Sequence, residues 1–471
     1  MASRIIGILL VPIYTRVLVP ADYGVMDTLA VSASLLGMIM EFGTGSGVAR
    51  FFYEEEGKRR QSLVAIGFLP VLLAFLLAGL ISVLRVPISM QLYGVGDYAD
   101  AVAVVAMALP ASMLWGYSLL LWRLNQRPRR YVGLAVLHLL ITVTASIYFV
   151  VVLRVGLIGV FWAQLLAYAI CGPLSLFFLR PMLSWRLNWG QVRAALAYGA
   201  PIVPASLLRW AQRYADRFIL LALVGVEQVG LYGFGMRVSS LLLFFTAPLE
   251  LAWTPFALSI AGQPGHRESY ARILCGYAAF ASLGVTTLSL FAGDLVRLLA
   301  PATYWSARWV VGPLAGVVVM DTAFVLVAVG VMIAKKTPLN VVGFAVGTTV
   351  DLIGVILFAP RLGIPAAAAA WFVASVCSVT VIFAFSQRHY PIPYNLQSFA
   401  LALALMVNAM IVGPVVDAIP WLGIRYGLKI ALLSITGLVI WRWVLVCDLR
   451  SVVKKYFVVS WQRLCSRLVT E

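Results

Sequence analysis

Apolar runs of about 20 residues, the length a helix needs to cross a hydrocarbon layer, follow one another along almost the whole chain. With that window the pattern predicts about fourteen spans, at 3–18, 24–48, 61–84, 98–122, 132–153, 157–179, 194–223, 230–259, 271–292, 308–333, 339–359, 364–385, 396–416 and 425–447. No connection between them exceeds roughly fifteen residues, which leaves no room for a soluble domain. The predicted fold class is an all-α polytopic membrane protein.

Stretches in the two halves echo each other about 207 residues apart. "RPRRYVGLAV" (127–136) matches "KKTPLNVVGFAV" (335–346), with Gly133 on Gly343. "LRVGLIGVFWA" (153–163) matches "PRLGIPAAAAA" (360–370), and "GVMDTLAVSASLL" (24–36) parallels "GLYGFGMRVSSLL" (230–242). Six spans per half is an even number, so the halves have the same orientation, related by an axis along the membrane normal. The predicted organisation is a six-helix lobe at 1–185, a second at 186–390, two additional transmembrane helices at 391–447 and a basic tail at 448–471. A substrate site in such a protein is expected near the midplane between the halves.

Composition agrees: 62% of the 471 residues are hydrophobic and only 11% charged. The formal net charge of +17 would suggest nucleic acid in a soluble protein. Here most basic residues fall in the gaps, where they orient the chain instead, and no nucleic-acid partner is expected. One set of gaps carries clusters such as Lys58, Arg59 and Arg60, or Arg123, Arg127, Arg129 and Arg130; the alternate set carries about one arginine each, such as Arg85 and Arg154. The positive-inside bias therefore places both termini in the cytoplasm. The tail mixes basic and bulky apolar residues, as a helix lying on the inner leaflet would. The five cysteines and three histidines have no metal-site or disulfide spacing, and no GxxxxGK[ST] phosphate loop is present. No cofactor is expected; a proton or sodium gradient is the candidate energy source. "GTGSG" (43–47) has no strand before it and predicts close helix packing or a helix break.

Against this background "SLLRWAQRYADRFILL" (206–221) stands out. Three arginines at mid-helix cost about 8–10 kcal/mol on the insertion scale, and some fifteen apolar neighbours recover roughly 7. Arg209, Arg213, Asp216 and Arg217 fall within roughly 100° of arc on a helix, so they face the protein interior or water. One aspartate neutralises one arginine, which predicts a surplus of positive charge for an anion-contacting cavity; an internal ion-pair network is the alternative. Pro201 and Pro204 predict a kink. Asp27, Ser34 and Glu41 recur every seven residues as one polar stripe, Arg50 ends that span, Arg237 starts span eight, and Glu250 and Asp321 sit deeper. The acids Asp27, Glu41, Asp216, Glu250 and Asp321 are candidate ion-coupling sites or counter-ions to the arginines. Trp210, Tyr214, Tyr232 and Trp253 are candidates for stacking on sugar faces.

Four stretches, "LLVPIYTRVLVPADYGVMDTL" (9–29), "GSGVARFFYEEE" (45–56), "DRFILLALVGVEQVGLYGFGMRVSSLL" (216–242) and "AWTPFA" (252–257), resemble polysaccharide transporters of the O-antigen-flippase type. These belong to a superfamily that also holds lipid II flippases and multidrug exporters. The resemblance implies two six-helix lobes around a central cavity, no enzymatic activity, and a bacterial inner-membrane location. It implies a polyprenyl-diphosphate-linked oligosaccharide as substrate, carried outward by alternating access for surface polysaccharide such as O-antigen or exopolysaccharide. A polysaccharide polymerase and a chain-length regulator are the partners it suggests, besides membrane lipids. Substrate contact would fall on Arg209, Arg213 and Arg217, with Arg50 and Arg237 as further candidates; Arg16 and Asp22 look structural or gating. Two other readings are a cation-coupled drug exporter, which the arginine surplus disfavours, and a membrane polymerase or glycosyltransferase, which the short loops disfavour.

Overall fold

A computed structural model describes residues 10–183 and 186–445. The start of the expected 3–18 span and the whole expected tail lie outside the described residues. Every regular element among the described residues is helical, and twelve helices are long and apolar enough to cross a membrane. These are twelve of the fourteen expected spans. Of the other two, 3–18 is described only as a short Val11–Val17 helix. The span expected at 194–223 is helical but too charged to qualify by apolarity. It comprises a Trp189–Gly199 helix, a 3-10 turn at Ala200–Ile202 and a Val203–Val224 helix, with Pro201 and Pro204 at the junction.

The expected 24–48 span is shorter than its apolar run. It forms the Pro20–Glu41 helix, after which Phe42 (φ 43°) and Gly43 (φ 74°) adopt left-handed backbone and redirect the chain into a separate Thr44–Phe51 helix. "GTGSG" thus breaks one helix and also packs another: a Cβ on Gly47 would lie 2.4 Å from the Ala195 carbonyl oxygen.

The chain forms two compact units. The first holds the chain up to Phe234 together with Leu299–Tyr304 and Val355–Ile364. Its core surrounds the Ala99–Leu124 helix, where Trp122 donates to Ser175 Oγ (2.9 Å) and Tyr117 to the Val64 carbonyl (2.7 Å). Leu299 and Tyr304 are tied in by Thr15 Oγ1 to the Leu299 carbonyl (2.8 Å) and Tyr304 Oη to the Leu18 carbonyl (2.9 Å). The helix carrying residues 206–221 belongs to this unit.

Within the first unit two helices cross backbone to backbone. A Cβ on Gly24 would lie 2.0 Å from the Val226 oxygen, and one on Gly230 would lie 1.8 Å from the Pro20 oxygen. Gly24 and Gly230 open the matching stretches 24–36 and 230–242, and each faces main chain of the other's helix. Small residues permit such approach in a membrane, where close packing and not water exclusion drives association.

The second unit holds Gly235–Leu298, Trp305–Gly354 and the chain from Pro365 on. Its core gathers Trp253, Tyr270, Tyr277, Val318 and Met406 around the His266–Leu290 helix. The two additional helices, Leu396–Asp417 and Leu422–Val439, join this unit through charge as well as apolar contact. Lys429, fully buried, bonds to both Asp294 and Asp417. Asp417 also accepts from the Gly293 backbone N–H (2.8 Å), Tyr426 donates to Asp294 (3.1 Å), and Arg425 stands 3.8 Å from the same carboxylate.

Removing one partner of a buried ion cluster leaves the others uncompensated. Lys429→Met is therefore expected to lower stability by about 3–5 kcal/mol, read as a drop in the thermal unfolding midpoint in detergent; adding Asp417→Asn restores part of the loss. Gly230→Ala is expected to cost about 1–3 kcal/mol by overpacking in the same measurement. Gly79→Ala, where a Cβ meets nothing within 4 Å, serves as the neutral control.

Candidate functional site

In the first unit the Pro20–Glu41 and Val203–Val224 helices meet along two polar stripes in antiparallel register. Asp27 and Ser34 lie two turns apart on one helix, Arg217 and Trp210 two turns apart on the other. Arg217 Nε donates to Asp27 Oδ2 (2.8 Å) and Trp210 Nε1 donates to Ser34 Oγ (2.9 Å). The stripe expected at Asp27, Ser34 and Glu41 is a real face: two of its members bind the charged helix, and the third lies free of it.

Arg217 is 3% exposed. Besides Asp27, its Nη1 donates to Asp216 Oδ1 (3.1 Å) and to the Arg213 carbonyl (2.9 Å). The Tyr214 and Tyr232 rings flank the guanidinium at 5.2 and 5.6 Å. Asp216 is fully buried and accepts a hydrogen bond from Tyr232 Oη (2.6 Å). Glycine at 233 leaves room for the aspartate, since a Cβ there would come 3.1 Å from Asp27 Cγ. Two carboxylates thus surround one guanidinium, and Arg217 is the hub of an internal network. Arg209 is exposed and Arg213 half-buried along the same helix, and both make contacts of their own.

Beside this network the first unit contains a cavity of about 840 Å³, towards the upper end of the range for small-molecule sites. Its wall is mostly apolar, with polar contributions from Ser34, Glu41, Ser112, Arg123, Gln164 and Tyr168. Ser34 connects the cavity wall to Trp210 on the charged helix. Arg123 and Gln164 were not singled out from the sequence. Arg123 is legible only as one basic residue of a loop cluster, and Gln164 as a lone amide in an apolar run; that both face span two follows from tertiary packing.

The remaining site candidates are dispersed. Arg50 lies on the separate Thr44–Phe51 helix, ion-paired with Glu54 and set over the Phe51 ring, outside the cavity lining. Arg16 ends the Val11–Val17 helix and Asp22 sits in the first turn of the next, each placed where the helix dipole favours its charge. Arg237, Glu250 and Asp321 belong to the second unit. Arg237 is half-buried in the last turn of its helix, Glu250 lies on the Leu243–Ile260 helix and Asp321 on the Arg308–Val327 helix. Of the aromatic candidates, Tyr232 (0% exposed) and Trp253 (2%) are enclosed in protein, which removes them from sugar stacking; Trp210 and Tyr214 keep part of their surface. The sequence also gave no role to the Lys429 cluster, although Arg425 and Lys429 four residues apart inside an apolar run were a readable signal.

Residues 1–259, more than half of the chain, match the polysaccharide biosynthesis protein family. The chain belongs to that family. No curated protein sequence matches it. The fold resembles those of solved lipid-flippase and multidrug-transporter structures. It is similar to the inward closed conformation of the lipid II flippase MurJ, with TM-score 0.72, 13% identity, and 93% of this chain and 96% of that one covered. It is also similar to the inward-facing conformation of a multidrug resistance MATE family transporter, with TM-score 0.64, 15% identity, and 81% and 93% covered. The outward-facing conformation of a MATE family transporter gives TM-score 0.59, 14% identity, and 82% and 92% covered. Membership of the family and twelve apolar helices make the protein a multi-pass membrane protein.

Because Arg217 is the ion-pair partner of both Asp27 and the buried Asp216, Arg217→Ala is expected to act on stability, by about 3–5 kcal/mol. Combining it with Asp27→Asn should recover part of the loss, measured by thermal unfolding of purified protein. Equal stability of Arg217→Ala and the parent would show that the network carries no structural load.

Proposed function

We propose that the protein carries a polyprenyl-diphosphate-linked oligosaccharide from the cytoplasmic to the outer leaflet of the bacterial inner membrane by alternating access. The glycan serves surface polysaccharide synthesis, in concert with a polymerase and a chain-length regulator, and both chain termini are cytoplasmic. The observation that carries this reading is a cavity of about 840 Å³ with polar and charged groups set in a mostly apolar wall, in a chain of the polysaccharide biosynthesis family. The cavity offers hydroxyl, amide, carboxylate and guanidinium groups, the chemistry that binds sugars and phosphates. Arg209 and Arg213 contact the diphosphate, whose oxygens suit the planar guanidinium fork, while Arg217 holds their helix in register. Arg50 and Arg237 are secondary contacts. A proton or sodium gradient drives the cycle through one of Asp27, Glu41, Asp216, Glu250 and Asp321.

A second reading, export of a cationic drug, is favoured by the Glu41 carboxylate in the cavity and by the likeness of fold to MATE transporters. Reconstituted vesicles separate the two. The flippase reading expects transfer of a fluorescent polyprenyl-diphosphate oligosaccharide between leaflets and no uptake of ethidium; the reverse pattern supports the exporter. Arg213→Ala is expected to slow glycan transfer by about tenfold, the loss of one charge-assisted contact, with unchanged protein abundance. Undiminished transfer with Arg209 and Arg213 both neutralised would overturn their assignment.

A further inference from the structure

The cavity of the first unit has an internal asymmetry of charge that points to what enters it. Glu41 is the last residue of the Pro20–Glu41 helix, where the helix dipole disfavours a carboxylate. Among the described residues it has no ion-pair partner. The chain nonetheless closes around it: a Cβ on residue 45 would stand 2.3 Å from Glu41 Oε1. The left-handed Phe42 and Gly43 redirect the chain so that residue 45 comes back against the acid. A carboxylate at a helix C-terminus without a charge partner breaks a local rule, and such positions are where function is expected.

Arg123, one residue from the end of the Ala99–Leu124 helix, lines the same cavity and also lacks an ion pair among the described residues. Gln164 lines it too, with no hydrogen-bond partner there. Tyr168 adds an aromatic wall, held by the His138 ring at 4.8 Å, which itself stacks on Trp115 at 4.9 Å. A cation and a carboxylate that share a cavity without neutralising each other call for a ligand with two unlike parts. Arg123 suits an anion. Glu41, an acceptor only, suits a group rich in hydroxyl donors and repels another carboxylate.

We infer that this cavity binds the sugar adjoining the diphosphate, that this sugar is uncharged, and that Glu41 selects it through its hydroxyls while Arg123 bears on the diphosphate. The inference rests on the flippase reading and narrows its substrate class: glycans whose first residue is a neutral hexose are carried, those beginning with a hexuronic acid are not. Glu41 is then a specificity-determining residue.

The test is binding to the full-length protein in nanodiscs, by isothermal titration, of short-chain prenyl diphosphate probes that differ only in the sugar. The hexose probe is expected to bind at least about tenfold more tightly than its hexuronic acid counterpart, the penalty of placing like charges side by side. Glu41→Gln, nearly isosteric, should bring that ratio within about threefold, and Arg123→Gln should weaken both probes alike and leave the ratio intact. Thermal unfolding of each variant checks its folding, and the comparison of probes on the unsubstituted protein stands without any variant. Equal binding of the two probes, or a ratio unmoved by Glu41→Gln, overturns the inference. So does a probe with a free-amine hexose that binds about tenfold better than the neutral one, which would mean that Glu41 selects a cationic sugar. If prenyl diphosphate alone binds as well as the hexose probe, the sugar site fails while the flippase reading survives; if no diphosphate probe binds at all, that reading fails first.

Discussion

The first unit depends on one guanidinium. Arg217 ties together two helices of opposite character, one apolar with a thin polar stripe, the other carrying four charges between Arg209 and Arg217. In a hydrocarbon setting neither Asp27 nor Asp216 is tolerable alone, and the arginine is no better placed without them. Their meeting turns three costly groups into a fixed joint. It sets the register that brings Trp210 to Ser34 and leaves Glu41, a further two turns along, facing open space. The cavity therefore takes its polar edge from the same stripe whose other members hold the helices together.

This arrangement separates two quantities that a count of charges merges. Net positive charge along residues 206–221 is real, yet at its most buried point the local balance is negative, with two carboxylates to one guanidinium. The positive character belongs to the exposed and half-buried turns at Arg209 and Arg213. In the cavity the balance is even, one acid and one base held apart. A site of this kind discriminates by the order in which a ligand presents its charges more than by their sum.

Much of the fold was legible because membrane helices announce themselves by length and apolarity. The run at 364–385 is helical from Ile364 to His389, and the break at Phe42–Gly43 was foreshadowed by "GTGSG". The period of seven through Asp27, Ser34 and Glu41 identified a true face, since helical periodicity survives folding. Which partner each member of that face would find was not legible. Asp27 meets a residue 190 positions away, and nothing in either segment specifies the pairing until the helices pack. Asp27 was therefore anticipated only as one of five candidate counter-ions, with nothing to match it to Arg217 in particular. Arg123 and Gln164 escaped notice for a related reason: a cavity is a property of the space between elements, and no single element carries its signature.

The crossing at Gly24 and Gly230 has a consequence for how such a chain can change over generations. Elsewhere in a packed core a larger side chain on one element can be accommodated by a smaller one opposite, so paired substitutions keep a contact open to drift. Here each glycine faces main chain, the Val226 and Pro20 carbonyls, and main chain cannot shrink to make room. The two sites also face each other's helices, so neither can take up what the other gives away. A substitution at this crossing therefore has no compensating partner within reach of a side chain.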